Sequence, residues 1–245
     1  AAAVARAPAR GVVGRGLGRS YGDAAQNAGG AVIDATASAG IRSFDTSTGE
    51  LRVAAGTSLD HIMRALVPRG WFVPVTPGTR HVTVGGAIAS DIHGKDRHRV
   101  GTWCAHVRDL TLATPAEGVV TVGPDSDPDL FWATAGGMGL TGVVLDATVR
   151  MAPIATSRAL VDTDRTDDLA SCMALLSAGD DDYQYSVAWV DLLPVRGATG
   201  RSVVTRGRFA RVDELAPSDR RDPLAFDPHA LAAVPPIVPV GLLDR

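Results

Sequence analysis

Apolar runs broken by glycine-rich turns set the first reading of the chain. Val12-Val13 opens as a strand and runs straight into Gly14-Arg15-Gly16-Leu17-Gly18-Arg19-Ser20-Tyr21-Gly22-Asp23-Ala24. Ala31 to Asp34, after Gly29-Gly30, and Leu51 to Ala55 predict two further strands. Beyond Thr57-Ser58 the apolar residues fall at Leu59, Ile62, Met63 and Leu66. That spacing predicts an amphipathic helix with a hydroxyl cap, ending near Gly70. Trp71 to Val75 resumes extended structure. Val107 to Thr121 alternates about Glu117-Gly118 and predicts a hairpin. Asp127-Pro128 starts a short helix with cap and proline in their expected order. Leu130 to Thr134 continues it, and Gly136 to Gly142 breaks it. Val143 to Met151 is a strand that ends at Pro153.

After Pro153 the pattern changes. Gln184 to Asp191 and Arg201 to Thr205 predict strands, and Val234 to Val240 is proline-rich. Strands and helices do not alternate regularly, so the expected class is α+β rather than doubly wound α/β. The expected division is a domain over 1–155 and part of a second over 156–245. The start at Ala1, without methionine, and the absence of a closing element both read as truncation.

Composition narrows the classes. The chain has 245 residues, 45% hydrophobic and 21% charged, with a net charge of −3. That is ordinary globular composition without the basic face a nucleic-acid binder needs. No run of about 18 apolar residues predicts a membrane span. Two cysteines, Cys104 and Cys172, make no disulfide framework and lack zinc spacing. Of the 24 basic residues only Lys95 is a lysine, all others being arginine. A lone lysine in such a chain marks a place where a compact ammonium is needed and a guanidinium will not fit.

Gly137-Met138-Gly139-Leu140-Thr141-Gly142 matches G-x-G-x-x-G in letters. A dinucleotide fingerprint needs a strand before it and a helix after it, and here the order is reversed, so it is rejected. The Gly14 to Asp23 turn is no Walker loop. Its successive backbone N–H groups can still form an anion-binding concavity, with Arg15 or Arg19 adding charge. A second backbone-rich segment, Pro77 to Arg80 through Thr83-Val84-Gly85-Gly86-Ala87-Ile88, follows about 60 residues later. The two together could hold a long diphosphate cofactor from both sides. His93-Gly94-Lys95 then places titratable groups at the end of that run. Asp91, His93, His98 and His106 match no common ligand spacing, so no metal is expected. Asp180-Asp181-Asp182 reads as a solvated loop.

Arg15 to Asp23, Pro77 to Arg80, Thr83 to Ile88, Asp91-Ile92-His93-Gly94-Lys95, Leu130 to Thr134 and Gly139 to Gly142 together resemble the vanillyl-alcohol-oxidase (PCMH-type) FAD-binding family. Within it, they resemble the branch that oxidises a polyprenyl-phosphate pentose. The resemblance implies a PCMH-type domain of two α+β subdomains, followed by an incomplete α+β substrate domain. It implies that Gly14 to Ala24 wraps the FAD diphosphate, lined by Gly78, Thr83, Val84, Gly85, Gly86, Ser90, Asp91, Ile92 and His93, with a backbone contact from Val144. Many relatives attach FAD covalently through a histidine before the turn serine. Here that position is Arg19, and no cysteine precedes Val84-Gly85-Gly86, so non-covalent FAD is expected.

The implied chemistry is oxidation of a sugar secondary alcohol, in which hydride leaves carbon for the flavin as a base takes the hydroxyl proton. His93, Lys95 and Tyr21 are the catalytic candidates, and Lys95 and Trp189 the substrate contacts. The substrate expected is a lipid-linked sugar phosphate, ribose oxidised at its 2′-hydroxyl for cell-wall arabinan. An NADH-dependent keto-reductase is the expected partner. The expected location is cytoplasmic or periplasmic, peripheral to the inner membrane. Asp96-Arg97 stand where the look-alike has Asn-His, Ser90 where it has Cys, Val187 where it has Ser and Met138 where it has Asn. The further catalytic lysine and tyrosine of the family lie C-terminal to this sequence. An aldonolactone or sugar-alcohol oxidase using oxygen, and a non-catalytic flavin-binding fragment, stay as alternatives.

Overall fold

The computed structural model describes residues 2–179, 181–193 and 199–228. The strands, in chain order, are β1 (Val12–Arg15), β2 (Ala31–Asp34), β3 (Ile41–Asp45), β4 (Glu50–Ala54), β5 (Trp71–Phe72), β6 (Val107–Thr114), β7 (Gly118–Val122), β8 (Val143–Arg150), β9 (Ala152–Pro153), β10 (Ala159–Thr166), β11 (Tyr185–Asp191) and β12 (Arg201–Phe209). The helices are α1 (Ala2–Ala5), α2 (Leu59–Leu66), α3 (Val84–Ala89), α4 (Arg97–Val100), α5 (Pro128–Thr134) and α6 (Leu169–Ala178).

A five-stranded antiparallel sheet, ordered β3-β4-β8-β6-β7, is the frame. Side chains alternate across it, as strand geometry requires. Leu51, Val53, Leu110, Leu112, Ala147 and Val149 are buried on one face with α2, α3 and Trp103. On β4, Arg52 points the other way. It lies between Asp109 and Asp146 and donates to Thr111 and Thr148, tying three strands together. The short parallel pair β1-β2 lies beside this sheet, with Gly14 against the Val143 side chain.

The α2 helix follows its sequence signature. Ser58 caps the His61 N–H at 3.1 Å, and Leu59, Ile62, Met63 and Leu66 form the buried stripe. Gly70, at φ 79°, closes the turn that follows. The predicted extended run at Trp71 to Val75 shrinks to two paired residues, because only Trp71 and Phe72 find a partner strand, β9. The hairpin, α5 and the strand from Val143 take their predicted places.

Beyond Pro153 a separate three-stranded antiparallel sheet, β10-β12-β11, carries α6 on one face. The chain is therefore α+β. β12 outlasts its predicted end at Thr205 because it is the central strand, paired on both sides through Phe209. β10 and α6 were not read from the sequence. β10 is an exposed edge strand whose acidic residues hide the alternation, and α6 is apolar on all sides, so no face stands out. The proline-rich stretch at 234–240 and Asp180 lie outside the described residues.

Candidate functional site

The two glycine-bearing segments, far apart in sequence, meet in space. Thr83 is the N-cap of α3, its hydroxyl accepting the Gly86 N–H at 3.2 Å. A Cβ on Gly16 would stand 2.1 Å from that hydroxyl, so only glycine lets the first turn lie against the start of α3. The third glycine segment closes on the other end of the helix. Gly136 N donates to Ile88 O at 3.0 Å and Met138 N to Ala89 O at 2.8 Å. The Ser90 hydroxyl lies 3.8 Å from the Met138 sulfur.

The amide inventory divides the work between the segments. The first amides of α3 are already engaged: Val84 N with Thr57 O, Gly85 N with Ala55 O and Gly86 N with the Thr83 hydroxyl. In the turn, by contrast, the amides from Gly16 to Ala24 donate to no acceptor among the described residues. Gly18 and Gly22 sit at φ 64° and 63°, where glycine is needed to keep successive N–H groups on one side. Arg15 folds back over Gly18, and Arg19, Ser20 and Asp23 are solvent-exposed. Free donors and cations thus gather on the turn, while Thr83 to Gly86 form the wall it leans on. Gly78 is exposed, with open space where a Cβ would stand. Val13, Ala24, Met138, Gly139 and Val143 help to line a groove of about 570 Å³ beside the turn.

Downstream of α3 the backbone is held tightly. Asp91 adopts φ 38°, and its carboxylate accepts the Cys104 N–H at 2.9 Å. The Asp91 side chain is therefore engaged with the Trp103–His106 turn. Trp103 N donates to Ile92 O at 2.8 Å, and His93 bridges to Thr102. His93 and Lys95 are both solvent-accessible on this fixed backbone. Lys95 O accepts the Ser186 N–H at 3.0 Å, which joins β11 directly to the His93–Lys95 segment.

Tyr185, Val187 and Trp189 share one face of β11 by strand alternation. Tyr185 meets the Phe209 ring edge-on at 6.1 Å, and Phe209 meets Phe72 at 5.2 Å, so this face closes onto the first part of the chain at one end. Trp189 lies further along it, 76% exposed. Val144, in β8, pairs with Leu112 beside a register shift. Tyr21 stands apart: it is 99% exposed on the turn. Sequence reasoning marked Asp96 as a departure from the look-alike but gave neither it nor Tyr185 a role at the site. Burial pushes the Tyr185 hydroxyl well above its ordinary range, with the Asp96 carboxyl adding to the effect. A carboxylate directly after the lone lysine was the available signal.

The profile of the family described as "FAD binding domain" matches residues 1–123, half of the chain. The chain belongs to that FAD-binding family. It is 48% identical over 241 residues to a protein named decaprenylphosphoryl-beta-D-ribose oxidase of Mycolicibacterium smegmatis, across 96% of this chain and 52% of that protein. A Streptomyces coelicolor protein, described as an uncharacterized protein in the mprA 5′ region, is 44% identical over 77% of this chain and 50% of its own length. Cytokinin dehydrogenase 7 of Oryza sativa subsp. japonica is 30% identical over 57% of this chain and 27% of its own. The chain thus spans about half the length of the first two of these relatives.

The cofactor of this FAD-binding domain is FAD, and the residues present suit it. A Cβ would fill the contact at Gly16 and crowd Arg15 at Gly18, so a bare backbone lines the cradle. The unengaged turn amides and two arginines suit a diphosphate.

Proposed function

We propose that this chain is the cofactor-binding half, with the start of the substrate-binding half, of an oxidoreductase acting on a secondary alcohol of a lipid-linked sugar phosphate. The substrate we favour is decaprenylphosphoryl ribose, oxidised at its 2′-hydroxyl. The observation that carries this reading is the extent of the likeness. Similarity to the ribose oxidase runs through 96% of the chain, so through the β10–β12 sheet as well as the cofactor segments, whereas the cytokinin dehydrogenase matches 57%. A shared cofactor accounts for the second; a shared substrate accounts for the first.

Residues Gly14 to Ala24 would hold the FAD diphosphate on turn amides and the charges of Arg15 and Arg19. Gly78, Thr83 to Gly86, Ser90 to His93 and Val144 would form the surrounding wall. The groove at Val13, Ala24 and Val143 has a volume in the range of small-molecule sites and would take a flat heterocycle. FAD, when bound, supplies the two-electron acceptor. The chain's own part is positioning. Lys95, as a compact cation with three donors, would hold an oxygen of the sugar. His93, two residues away, would take the hydroxyl proton. Trp189 would give the sugar or its lipid an apolar wall. Tyr21 is a weaker candidate, since it reaches the site only if the turn folds over. We place the domain division at residue 155.

The product would be a ketone, and a nicotinamide-dependent keto-reductase is the class of partner that would consume it. The membrane would be met peripherally through the lipid of the substrate. Among the described residues no helix is long and apolar enough to cross a membrane. No histidine precedes Ser20 and no cysteine precedes Val84, so FAD would be held non-covalently.

The test is anaerobic mixing of the flavin-loaded full-length protein with decaprenylphosphoryl ribose. Bleaching of the flavin absorbance is expected, and Lys95→Ala should keep the flavin but lose the bleaching. No bleaching in the parent protein would refute the substrate. Flavin that stays with the pellet on acid precipitation would refute non-covalent attachment.

A further inference from the structure

Asp96 is fully buried, and neither of its carboxyl oxygens has a hydrogen-bond partner in another described residue. It occupies the N-cap position of α4, yet its side chain makes no cap bond. A capping aspartate normally contributes about 1 kcal/mol, so something else holds this side chain inward. Its Oδ1 lies 2.5 Å from the point a Gly94 Cβ would occupy, and Thr76 O lies 2.8 Å from the same point. Asp96 therefore sits directly beneath the peptide that joins His93 to Lys95, and next to the loop after β5. Tyr185 of β11 faces it closely enough for its hydroxyl to respond to the Asp96 charge.

Four titratable groups surround this carboxyl. His106 acts on it from the turn at Trp103–His106 and His98 from α4, Lys95 from its own segment, and Tyr185 from β11. His106 Nε2 lies 2.9 Å from Val100 O. A carbonyl only accepts, so that nitrogen carries the proton and His106 does not need Asp96 as its acceptor. Burial outweighs the pull of its own backbone N–H and of His106, His98 and Lys95, and pushes the Asp96 carboxyl above the usual carboxylate range. An isolated buried carboxylate is costly, whereas the neutral acid carries no net charge and needs only an acceptor for its O–H.

We propose that Asp96 is the positioning residue for Lys95: its buried side chain, packed under Gly94, is the peg that seats the His93–Lys95 segment against β11. Raising the pH removes the proton and loosens the seat, so Lys95 and β11 part together. The catalytic consequence rests on the reading of Lys95 as a substrate contact; the structural consequence stands without it.

The seat is reported by one amide, Ser186 N–H on Lys95 O. Hydrogen exchange at Ser186 is measured across pH in the flavin-loaded full-length protein, in Asp96→Asn and in Asp96→Ala, with exchange corrected for intrinsic base catalysis. Asp96→Asn keeps the shape and cannot ionise. It should match the parent at low pH and exchange about tenfold more slowly than the parent at high pH. Asp96→Ala should exchange about tenfold faster than Asp96→Asn at every pH. Equal exchange in the parent and Asp96→Asn throughout overturns the proposal, and this comparison decides alone if Asp96→Ala does not fold. A parallel measurement follows KM for flavin reduction, which should rise with pH in the parent but not in Asp96→Asn. If decaprenylphosphoryl ribose reduces none of the variants, the substrate assignment fails while the exchange result still decides the role of Asp96.

Discussion

Gly16→Ala tests the contact on which the cofactor site is built. The φ of Gly16 is not in the left-handed region, so space alone decides its effect. The added Cβ would stand 2.1 Å from the Thr83 hydroxyl oxygen, 2.9 Å from Thr83 Cγ2 and 3.1 Å from Thr83 Cβ. Thr83 is 2% exposed and its hydroxyl caps α3, so it cannot rotate aside without releasing the Gly86 N–H. Overpacking of this kind costs about 1–3 kcal/mol, and a lost cap about 1 kcal/mol more. If the strain falls on the turn, it appears as weaker cofactor binding, roughly 10- to 100-fold in Kd. Titration of the apoprotein with FAD, followed by flavin fluorescence, reads this directly. Thr83→Ala removes the two nearest atoms, so the Gly16→Ala/Thr83→Ala double variant should bind more tightly than the two single effects combined predict. The coupling should be about 1–2 kcal/mol. Gly16→Ala binding FAD within about twofold of the parent, with additive single effects, would show that the turn does not lean on α3.

Other consequences are local. Arg52→Ala leaves Asp109 and Asp146 without their shared cation and should lower the unfolding free energy by about 2 kcal/mol, measured in urea. Asp109→Asn together with Asp146→Asn should then recover part of that loss. Glu214 is held down at about 2, first by its bonds with Arg208 and then by the Arg211 N–H. Its folded value is depressed, so its contribution is present above its ordinary value of 4.5 and is lost as pH falls toward about 2. Glu214→Gln should therefore flatten the fall in Tm over that acid range and nowhere else. Cys104 and Cys172 are both buried, and burial pushes the Cys104 thiol upward. Neither should react with a thiol reagent until the protein unfolds; rapid labelling of the native protein would contradict their placement.

Much of the frame was legible because burial leaves a period. Leu59, Ile62, Met63 and Leu66 announced α2, and Asp127-Pro128 announced α5. The fingerprint lookalike at Gly137 was dismissed by element order, and α5 before it with β8 after it agree. Helix α3 was not legible as a helix. Val84-Gly85-Gly86-Ala87-Ile88-Ala89 holds two poor helix formers, and tertiary bonds donated by Val84 N to Thr57 O and by Gly85 N to Ala55 O fix its first turn. At the candidate site, the meeting of the two glycine segments was inferred from residue type. The sharing of donors between them was not. Sequence shows which residues have bare amides, but only the fold shows that the α3 amides are taken and the turn amides are not. Asp96 was hidden for a similar reason. Thr76 and Tyr185, which lie near it in the fold, are far from it in the chain.

The energetics around α3 identify the part of the site able to yield. Asp91 at φ 38° and Met138 at φ 52° are the positive-φ non-glycine residues of the described chain. Such backbone costs of order 1–3 kcal/mol each and persists only when its surroundings over-determine it. Here they do: Gly136 N, Met138 N and Trp103 N are bonded to Ile88, Ala89 and Ile92 carbonyls, and the Asp91 carboxylate holds Cys104 N. The end of α3, the third glycine segment and the Trp103 turn are thereby locked as one block. The amides of the turn from Gly16 to Ala24 have no such bonds among the described residues, so a long cofactor should be admitted by ordering the turn while the block stays still. Limited trypsin digestion separates these regions, because Arg15 and Arg19 are exposed on the turn and Arg211 lies far from it in the chain. FAD should slow cleavage after Arg15 and Arg19 and leave cleavage after Arg211 unchanged. Turn cleavage at the same rate with and without FAD would mean that the diphosphate is held elsewhere.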